Sequence, residues 1–469
     1  MSRKLKLGIV ALLLTASGFA QAAGAETVDL LIKNGHILTI NDQMEVIANG
    51  YVAVKDHKIV AVGDMKDLPA ISAKKVLDVA GDIVMPGMIN THTHASMTVF
   101  RSLADDVADR LARYIFPLEA KFVSRDMVRI GADLANVEMV EGGVTTYADM
   151  YYFEDEVAKT VDKIGMRAVL GETVIKFPVA DAKNADEGIA YGLKFIKEYQ
   201  NHPLITPAFA PHAPTTNTTE TLQKVAKLSL ELDVPVMIHL AETPEESEKI
   251  GKQTNGLTPV AYMDSIGALN RNLIAAHAIF VDANDIILLK KHDVKVAHNM
   301  GANIKSGKGV APVPKMLAAG VTVGLGTDGP MSGNTISVMD QLNQVAKLHK
   351  LVNNDRTIMP PVEVIKLATM GGAKTLMLDK KVGSLVVGKQ ADMIVVNTKS
   401  SHMVPIYNPY SALVYSAYAT DVRHSIIDGR LIMEDRRVLT VDEGKIRQQA
   451  QEFSNTLRAY LVDKGEIVR

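Results

Sequence analysis

The chain has 469 residues, with 51 basic against 53 acidic side chains and no cysteine. The near-neutral balance, with no basic block interleaved with aromatics, excludes nucleic acid as an implied partner; the lack of cysteine excludes disulfides, thiolate metal sites and cysteine nucleophiles, so any metal must be held by histidine and carboxylate. The length suits a barrel of roughly 250 residues joined to a smaller domain.

At the N-terminus, Arg3, Lys4 and Lys6 precede an apolar run over residues 7–20, and Ala20-Gln21-Ala22 offers a small-x-small cleavage pattern. The run is short for a membrane span, and no second long apolar segment follows. Residues 1–22 are therefore expected to be a cleaved signal peptide, leaving a periplasmic or secreted mature protein that does not sit in a membrane. With no cysteine after the run, a lipoprotein anchor is excluded.

Short β-rich runs follow at 30–40, 46–54 and 58–62, separated by Asn34-Gly35, Asn49-Gly50 and Gly63-Asp64. The same texture returns late in the chain at 383–388, 391–396, 424–427 and 430–433. Two β-rich segments flanking a long middle predict one β-sandwich built from both chain ends, residues 23–85 and 381–440. In the middle, 86–380, apolar β-like runs alternate with helical patterns such as 125–141, 219–231 and 283–291, the signature of repeated βα units. Candidate strands lie at 83–94, 143–150, 167–173, 205–212, 235–242, 273–280, 294–300 and 322–329. Eight strands close a (β/α)8 barrel, so the expected fold class is α/β, a TIM-like barrel with a small β-sandwich. A helix is expected at 337–351, and a charged helical tail at 443–464 within a final segment, 441–469.

In such barrels the C-terminal ends of the strands form the active face. The first barrel strand ends in Asn90-Thr91-His92-Thr93-His94, and alternation along a strand sends His92 and His94 to the same side. The other strand ends carry Asp149, Glu172, His212, His239 with Glu242, His277, His298 and Asp328. Of these, His92, His94, His239 and Asp328 give three imidazoles and one carboxylate, a set that suits one zinc ion and leaves room for a water; iron(II) and manganese(II) accept the same ligands. Asp149 and His298 read equally well as structural polar groups. The spacing His239-x-x-Glu242 puts the two side chains on opposite faces of an ideal strand, so Glu242 must lie just past the strand, where the chain turns back over the metal.

Several stretches carry a family resemblance: Pro86-Gly87-Met88-Ile89-Asn90-Thr91-His92-Thr93-His94, Pro117-Leu118-Glu119-Ala120-Lys121-Phe122, Ala210-Pro211-His212-Ala213-Pro214, His239-Leu240-Ala241-Glu242-Thr243, Ala276-His277, Gly309-Val310-Ala311-Pro312-Val313-Pro314 and Leu325-Gly326-Thr327-Asp328-Gly329. From residue 30 to about 428 the chain resembles the amidohydrolase superfamily, in the branch of 5'-methylthioadenosine/S-adenosylhomocysteine deaminases, with triazine hydrolases as relatives. The resemblance implies hydrolytic deamination of an adenine nucleoside. His92, His94, His239 and Asp328 map onto metal ligands, Glu242 onto the acid that protonates the ring nitrogen, and His277 onto a contact of the attacking water. Asp328 would take a proton and hand it to departing ammonia. Glu119 and His212 map onto substrate contacts, Glu119 to ribose hydroxyls and His212 on the purine side.

Dinuclear relatives place a bridging lysine or glutamate at the end of the fourth strand; here 205–212 has none, which implies one metal and favours deamination over opening of cyclic amides. Where relatives that accept S-adenosylhomocysteine place an arginine near the end of the third strand, this chain has Gly171-Glu172-Thr173. Glu172 is thus expected at the substrate, repelling an anionic tail and favouring neutral nucleosides. The alternatives are another heterocycle, such as a triazine, pterin or guanine, and a non-catalytic periplasmic binding protein. Glu242 argues against the latter, since binding alone needs no proton donor. Barrels of this family commonly pair, so a homo-oligomer is compatible with the resemblance.

Overall fold

The computed structural model describes residues 26–107 and 109–466; the expected signal peptide, 1–22, lies outside the described residues. Among the described residues, seventeen strands form two sheets, and no helix is long and apolar enough to cross a membrane. The first sheet takes β1 (Glu26–Leu38), β2 (Val46–Lys55), β3 (Lys58–Asp64), β4 (Ile71–Asp78) and β5 (Ile83–Pro86) from the start of the chain. The second consists of β6 (Met88–Thr93), β7 (Val144–Tyr151), β8 (Arg167–Val174), β9 (Ile205–Pro211), β10 (Val236–Leu240), β11 (Leu273–His277), β12 (Lys295–His298) and β13 (Val323–Leu325). The chain then returns to the first sheet with β14 (Met393–Val396), β15 (Val422–Ile427), β16 (Arg430–Glu434) and β17 (Arg437–Val438).

The end sheet runs β17-β16-β15-β14-β5-β1-β2-β3, with β4 also on β1. β1 is shared between two branches: its first half pairs with β4, and beyond a bulge at Gly35 its second half pairs with β5. Residues of both branches, Leu77 on one and Val84, Met393 and Ile426 on the other, meet Leu30, Val52 and Ile59 in one apolar cluster. The sandwich expected from the chain ends is therefore one branched sheet. The expected strand at 383–388 does not form. Gly383 and Gly388 adopt φ of +91° and +93°, incompatible with a continuous strand, and the stretch crosses the sheet's end, where Leu385 N–H donates to the Thr39 carbonyl at 2.7 Å.

The apolar run expected as one strand at 83–94 is two, β5 in the end sheet and β6 in the barrel. The chain crosses between sheets at Gly87, where a Cβ would lie 2.0 Å from Thr145 Oγ1, so only glycine fits this approach. Position along this run thus fixes where His92 and His94 emerge.

The second sheet is parallel in the order β13-β12-β11-β10-β9-β8-β7-β6, and its strands are buried on both faces, which is why they read as near-continuous apolar runs. Its two edges are stitched by hydrogen bonds: through the Asn90 side chain, Nδ2 donates to Thr327 Oγ1 at 2.7 Å and Oδ1 accepts from Thr327 N–H at 3.1 Å, and between backbones Asp328 N–H donates to the His92 carbonyl at 3.0 Å. The interior is filled by Ile89, Met150, Val169, Ala210, Met237 and Ile274, and Ala373, Leu376, Leu378 and Val382 plug its lower end. Space for a ligand is left at the C-terminal ends of the strands. Below, fully buried Arg167 at the start of β8 pairs with Asp392 (2.8 Å) and Asp428 (3.1 Å), tying the barrel to the end sheet. Such a buried cluster tolerates no single deletion, since losing one partner strands the other charges at a cost of about 3–5 kcal/mol.

Candidate active site

Four of the expected side chains converge. One donor atom each from His92, His94, His239 and Asp328 lies within 4.8 Å of every other, and among the described residues no other such group was found. His94 and His239 place their Nε2 atoms 3.3 Å apart, and Asp328 Oδ1 stands 3.3 Å from His94 Nε2 and 3.7 Å from His92 Nε2. The other ring nitrogens are committed elsewhere. His94 Nδ1–H donates to the Met150 carbonyl (2.6 Å) and His239 Nδ1–H to the His212 carbonyl (2.8 Å), which turns both Nε2 lone pairs inward. His92 Nε2 is buried with no hydrogen-bond partner. Lone pairs facing one another at this range repel unless a cation lies among them, so the residues fit a single tetrahedral metal such as zinc.

Backbone strain aims the remaining groups. Ala241, His277 and Asp328 have φ of +52°, +76° and +59°, left-handed conformations that cost these residue types about 1–3 kcal/mol each. The bend at Ala241, one residue past β10, carries Glu242 back over the site, as the His239-x-x-Glu242 spacing demanded. Glu246 holds that bend by accepting from Ala241 N–H (3.2 Å) and Glu242 N–H (2.8 Å). Asp328 is pinned by its own Oδ1 accepting from Gly329 N–H at 2.7 Å and by Thr93 Oγ1 donating to its carbonyl at 3.0 Å.

His277 is fully buried; its Nε2 has no hydrogen-bond partner and lies 3.6 Å from Glu242 Oε1 and 4.0 Å from Asp328 Oδ2. Its Nδ1 meets Asn303 Oδ1 at 2.8 Å, a partner that takes the Nδ1 proton and leaves Nε2 as an acceptor. Glu242 Oε1 is gripped by Lys308 Nζ. Burial works against its charge, but the Lys308 amine against Oε1 favours the carboxylate, whose pKa lies below the usual range.

A cavity of about 600 Å³ opens above these groups, lined by His94, His212, His239, Glu242 and Asp328 on its floor and by Met97, Leu111, Ile115, Phe116, Tyr151 and Tyr152 on its walls. Glu119 reaches it from the helix Phe116–Phe122 and accepts from Tyr151 Oη–H at 2.8 Å; burial pushes its carboxyl up to about 7. His212 donates Nδ1–H to Thr216 Oγ1 (3.0 Å), whose own proton goes to the Ala213 carbonyl. Burial lowers its pKa to about 4, so at neutral pH it is uncharged, with Nε2 free to accept from a substrate hydroxyl or amine.

Glu172 does not join them. Gly171 faces the barrel interior against Met237 and Thr173 lines the cavity, so Glu172 between them points outward. It is buried beside Glu154, accepting from that residue's N–H at 3.1 Å, and burial with nearby Asp181 raises its carboxyl well above the usual range. The expected repulsion of an anionic tail therefore has no structural basis. Asp149 lies behind His94, accepting from Ala95 N–H at 2.7 Å, and His298 pairs with His349 at 3.3 Å; neither lines the cavity. Tyr151, Asn303 and Lys308 carry no metal or nucleophile signature, and nothing in the sequence alone pointed to them.

Residues 83–432 match the amidohydrolase family, and the chain belongs to it. It is 42% identical over 438 residues to a 5-methylthioadenosine/S-adenosylhomocysteine deaminase of Syntrophobacter fumaroxidans, covering 93% of this chain and 100% of that one. A 5'-deoxyadenosine deaminase of Methanosarcina mazei is 38% identical, with 92% and 99% covered. Among solved structures, an adenosine deaminase from Xanthomonas campestris with bound zinc superposes with a TM-score of 0.91 at 32% identity, over 93% of this chain and all of that one.

Left to themselves, the ligands hold a proton in the metal's place: although burial opposes it, the hydrogen bond and charge of Asp328 raise His94 to about 9, whereas burial keeps His92 and His239 neutral. Zinc must displace that proton. Calorimetric titration of the metal-free protein at pH 6, where a zinc-bound water of pKa roughly 7 keeps its proton, in buffers of different ionisation enthalpy, is expected to show release of about one proton per zinc, with apparent affinity rising as pH climbs toward about 9. Proton release near zero would show that His94 is already neutral.

Proposed function

We infer that the protein is a zinc-dependent aminohydrolase that converts an adenine nucleoside to the inosine-type product and ammonia. The observation that carries this is the turn at Ala241, which sets Glu242 beside the four ligands and within reach of His277. Binding alone has no use for a carboxylate bent back over a metal; deamination needs one. When bound, zinc lowers the pKa of a water molecule to roughly 7 and so supplies a nucleophile at neutral pH. Attack at the amine-bearing carbon loads electron density on the adjacent ring nitrogen, and Glu242 stands where a proton must be delivered to it. His277, an acceptor at Nε2, orients the nucleophile; Asp328 Oδ2, facing the same space, can relay a proton toward the departing amine. Glu119 and His212 suit the ribose and purine sides, and Met97, Phe116, Met150 and Tyr152 offer the apolar surface an adenine ring needs.

With Glu172 outside the cavity, the case it made against a charged 5' substituent falls away, and adenosine, 5'-deoxyadenosine, methylthioadenosine and S-adenosylhomocysteine all belong in one assay. In an ultraviolet assay of the zinc-loaded protein, the adenine spectrum should shift to that of hypoxanthine with at least the neutral nucleosides. Glu242→Gln should lower kcat by about 10²–10⁴-fold at unchanged zinc content. Unchanged turnover in Glu242→Gln would remove the mechanism, and silence on every adenine compound would move the function to another heterocycle.

We further propose that the enzyme acts outside the cytoplasm on scavenged nucleosides, on the strength of the basic residues, apolar run and Ala20-Gln21-Ala22 at the N-terminus. The protein recovered from the periplasm or medium of its host should begin at Ala23 on N-terminal sequencing. An intact Met1 on cytoplasmic protein would contradict this.

A further inference from the structure

The segment after β12 grips both side chains that turn toward the metal without ligating it. In the short helix Met300–Lys305, Asn303 holds His277 through Oδ1. Five residues on, Lys308 places Nζ against Oε1 of Glu242, while its own N–H donates to the Asn303 carbonyl at 2.9 Å. The two grips are thus tied to each other through the backbone. Glycines flank the lysine: Gly307 has φ of +64° and Gly309 of +124°, conformations that other residues adopt only at a cost. They bring Lys308 over the cavity that it lines together with Glu242. Each side chain of the pair is 22% exposed, so the contact lies in the wall of the active site and not on the open surface, where ion pairs contribute little.

We propose that Lys308 is a positioning residue for Glu242: its ammonium anchors Oε1 and leaves Oε2 as the oxygen presented to the heterocycle. This rests on the deaminase reading above and deepens it. A glutamate held by a lysine meets the substrate as a carboxylate, so the proton it delivers is one it has just received. One O–H bond of the attacking water breaks as its oxygen bonds to the amine-bearing carbon, and that proton passes to Oε2 and then to the ring nitrogen. The carbon–nitrogen bond to the amine then breaks, ammonia leaves with the remaining hydroxyl proton, and the balance is one water consumed for one ammonia released. The charged and titratable groups around Glu242 are Lys308, His277, His239, His212, Asp328 and Glu246. Lys308 is the one lysine or arginine among them.

The test is the pH dependence of kcat and KM for 5'-deoxyadenosine in the zinc-loaded wild type, Lys308→Met and Lys308→Arg. Lys308→Met should lose about 10–100-fold in kcat, the worth of one charge-assisted contact, with KM changed far less. Its acid limb should move to higher pH, because an unclamped Glu242 takes up a proton sooner as pH falls. Lys308→Arg should restore the wild-type profile, and zinc content should be the same in all three. A Lys308→Met profile that superimposes on the wild type, or a loss confined to KM, would overturn the proposal. Should the wild type itself turn over no adenine nucleoside, the deaminase reading has failed separately. The clamp is then decided by a crystal structure of the zinc-loaded protein: Nζ on Oε1 of Glu242 supports it, and Lys308 turned to solvent overturns it.

Discussion

Two imidazole nitrogens 3.3 Å apart, each with its lone pair turned toward the other and with a third imidazole and a carboxylate beside them, need a positive charge in their midst. Much of the molecule serves to keep them there. The carbonyls of Met150 and His212 hold the outer ring nitrogens and so forbid the rotation that would relieve the repulsion. The seam between β6 and β13, stitched by Asn90 and Thr327, brings Asp328 to the two histidines of the first barrel strand, which are more than two hundred residues away in sequence. The strained turns at Ala241, His277 and Asp328 are affordable only because packing and hydrogen bonds on both sides fix them.

The arrangement also divides the labour among carboxylates by their surroundings. Glu242 and Asp328 sit among cationic or polarisable partners and stay charged despite burial. Glu119, with a tyrosine hydroxyl for company, titrates near neutrality, a range in which it can either donate to or accept from a ribose hydroxyl. Glu172, packed beside Glu154 and Asp181, is pushed well above the usual carboxylate range by burial and plays a structural part. Chemically identical groups within one barrel mouth thus take different roles because desolvation and neighbours push their pKa values apart.

The metal ligands were legible in the sequence because each sits at a strand end with an unmistakable residue type, and because strand alternation alone predicts that His92 and His94 share a face. The need for a turn before Glu242 was legible for the same reason, and Ala241 supplies it. The same parity, applied to Gly171-Glu172-Thr173, would have turned Glu172 away from the substrate: a glycine packed in the barrel interior and a threonine on the cavity wall leave the residue between them no inward direction. The strand expected at 383–388 looked right in composition, but two glycines in left-handed conformations end any ladder there. Lys308 and Asn303 were invisible for a different reason. They act on His277 and Glu242 across the barrel mouth, and no spacing rule reports which loop residue reaches a side chain on another strand.

The central claim is that the four convergent side chains hold one metal ion. Anomalous diffraction at the zinc edge from crystals of the zinc-loaded protein tests it most directly. The account predicts one strong peak per chain, with His92, His94 and His239 nitrogens and an Asp328 oxygen at about 2.0–2.2 Å from it. Two peaks in the barrel mouth, or a single peak elsewhere, would contradict it.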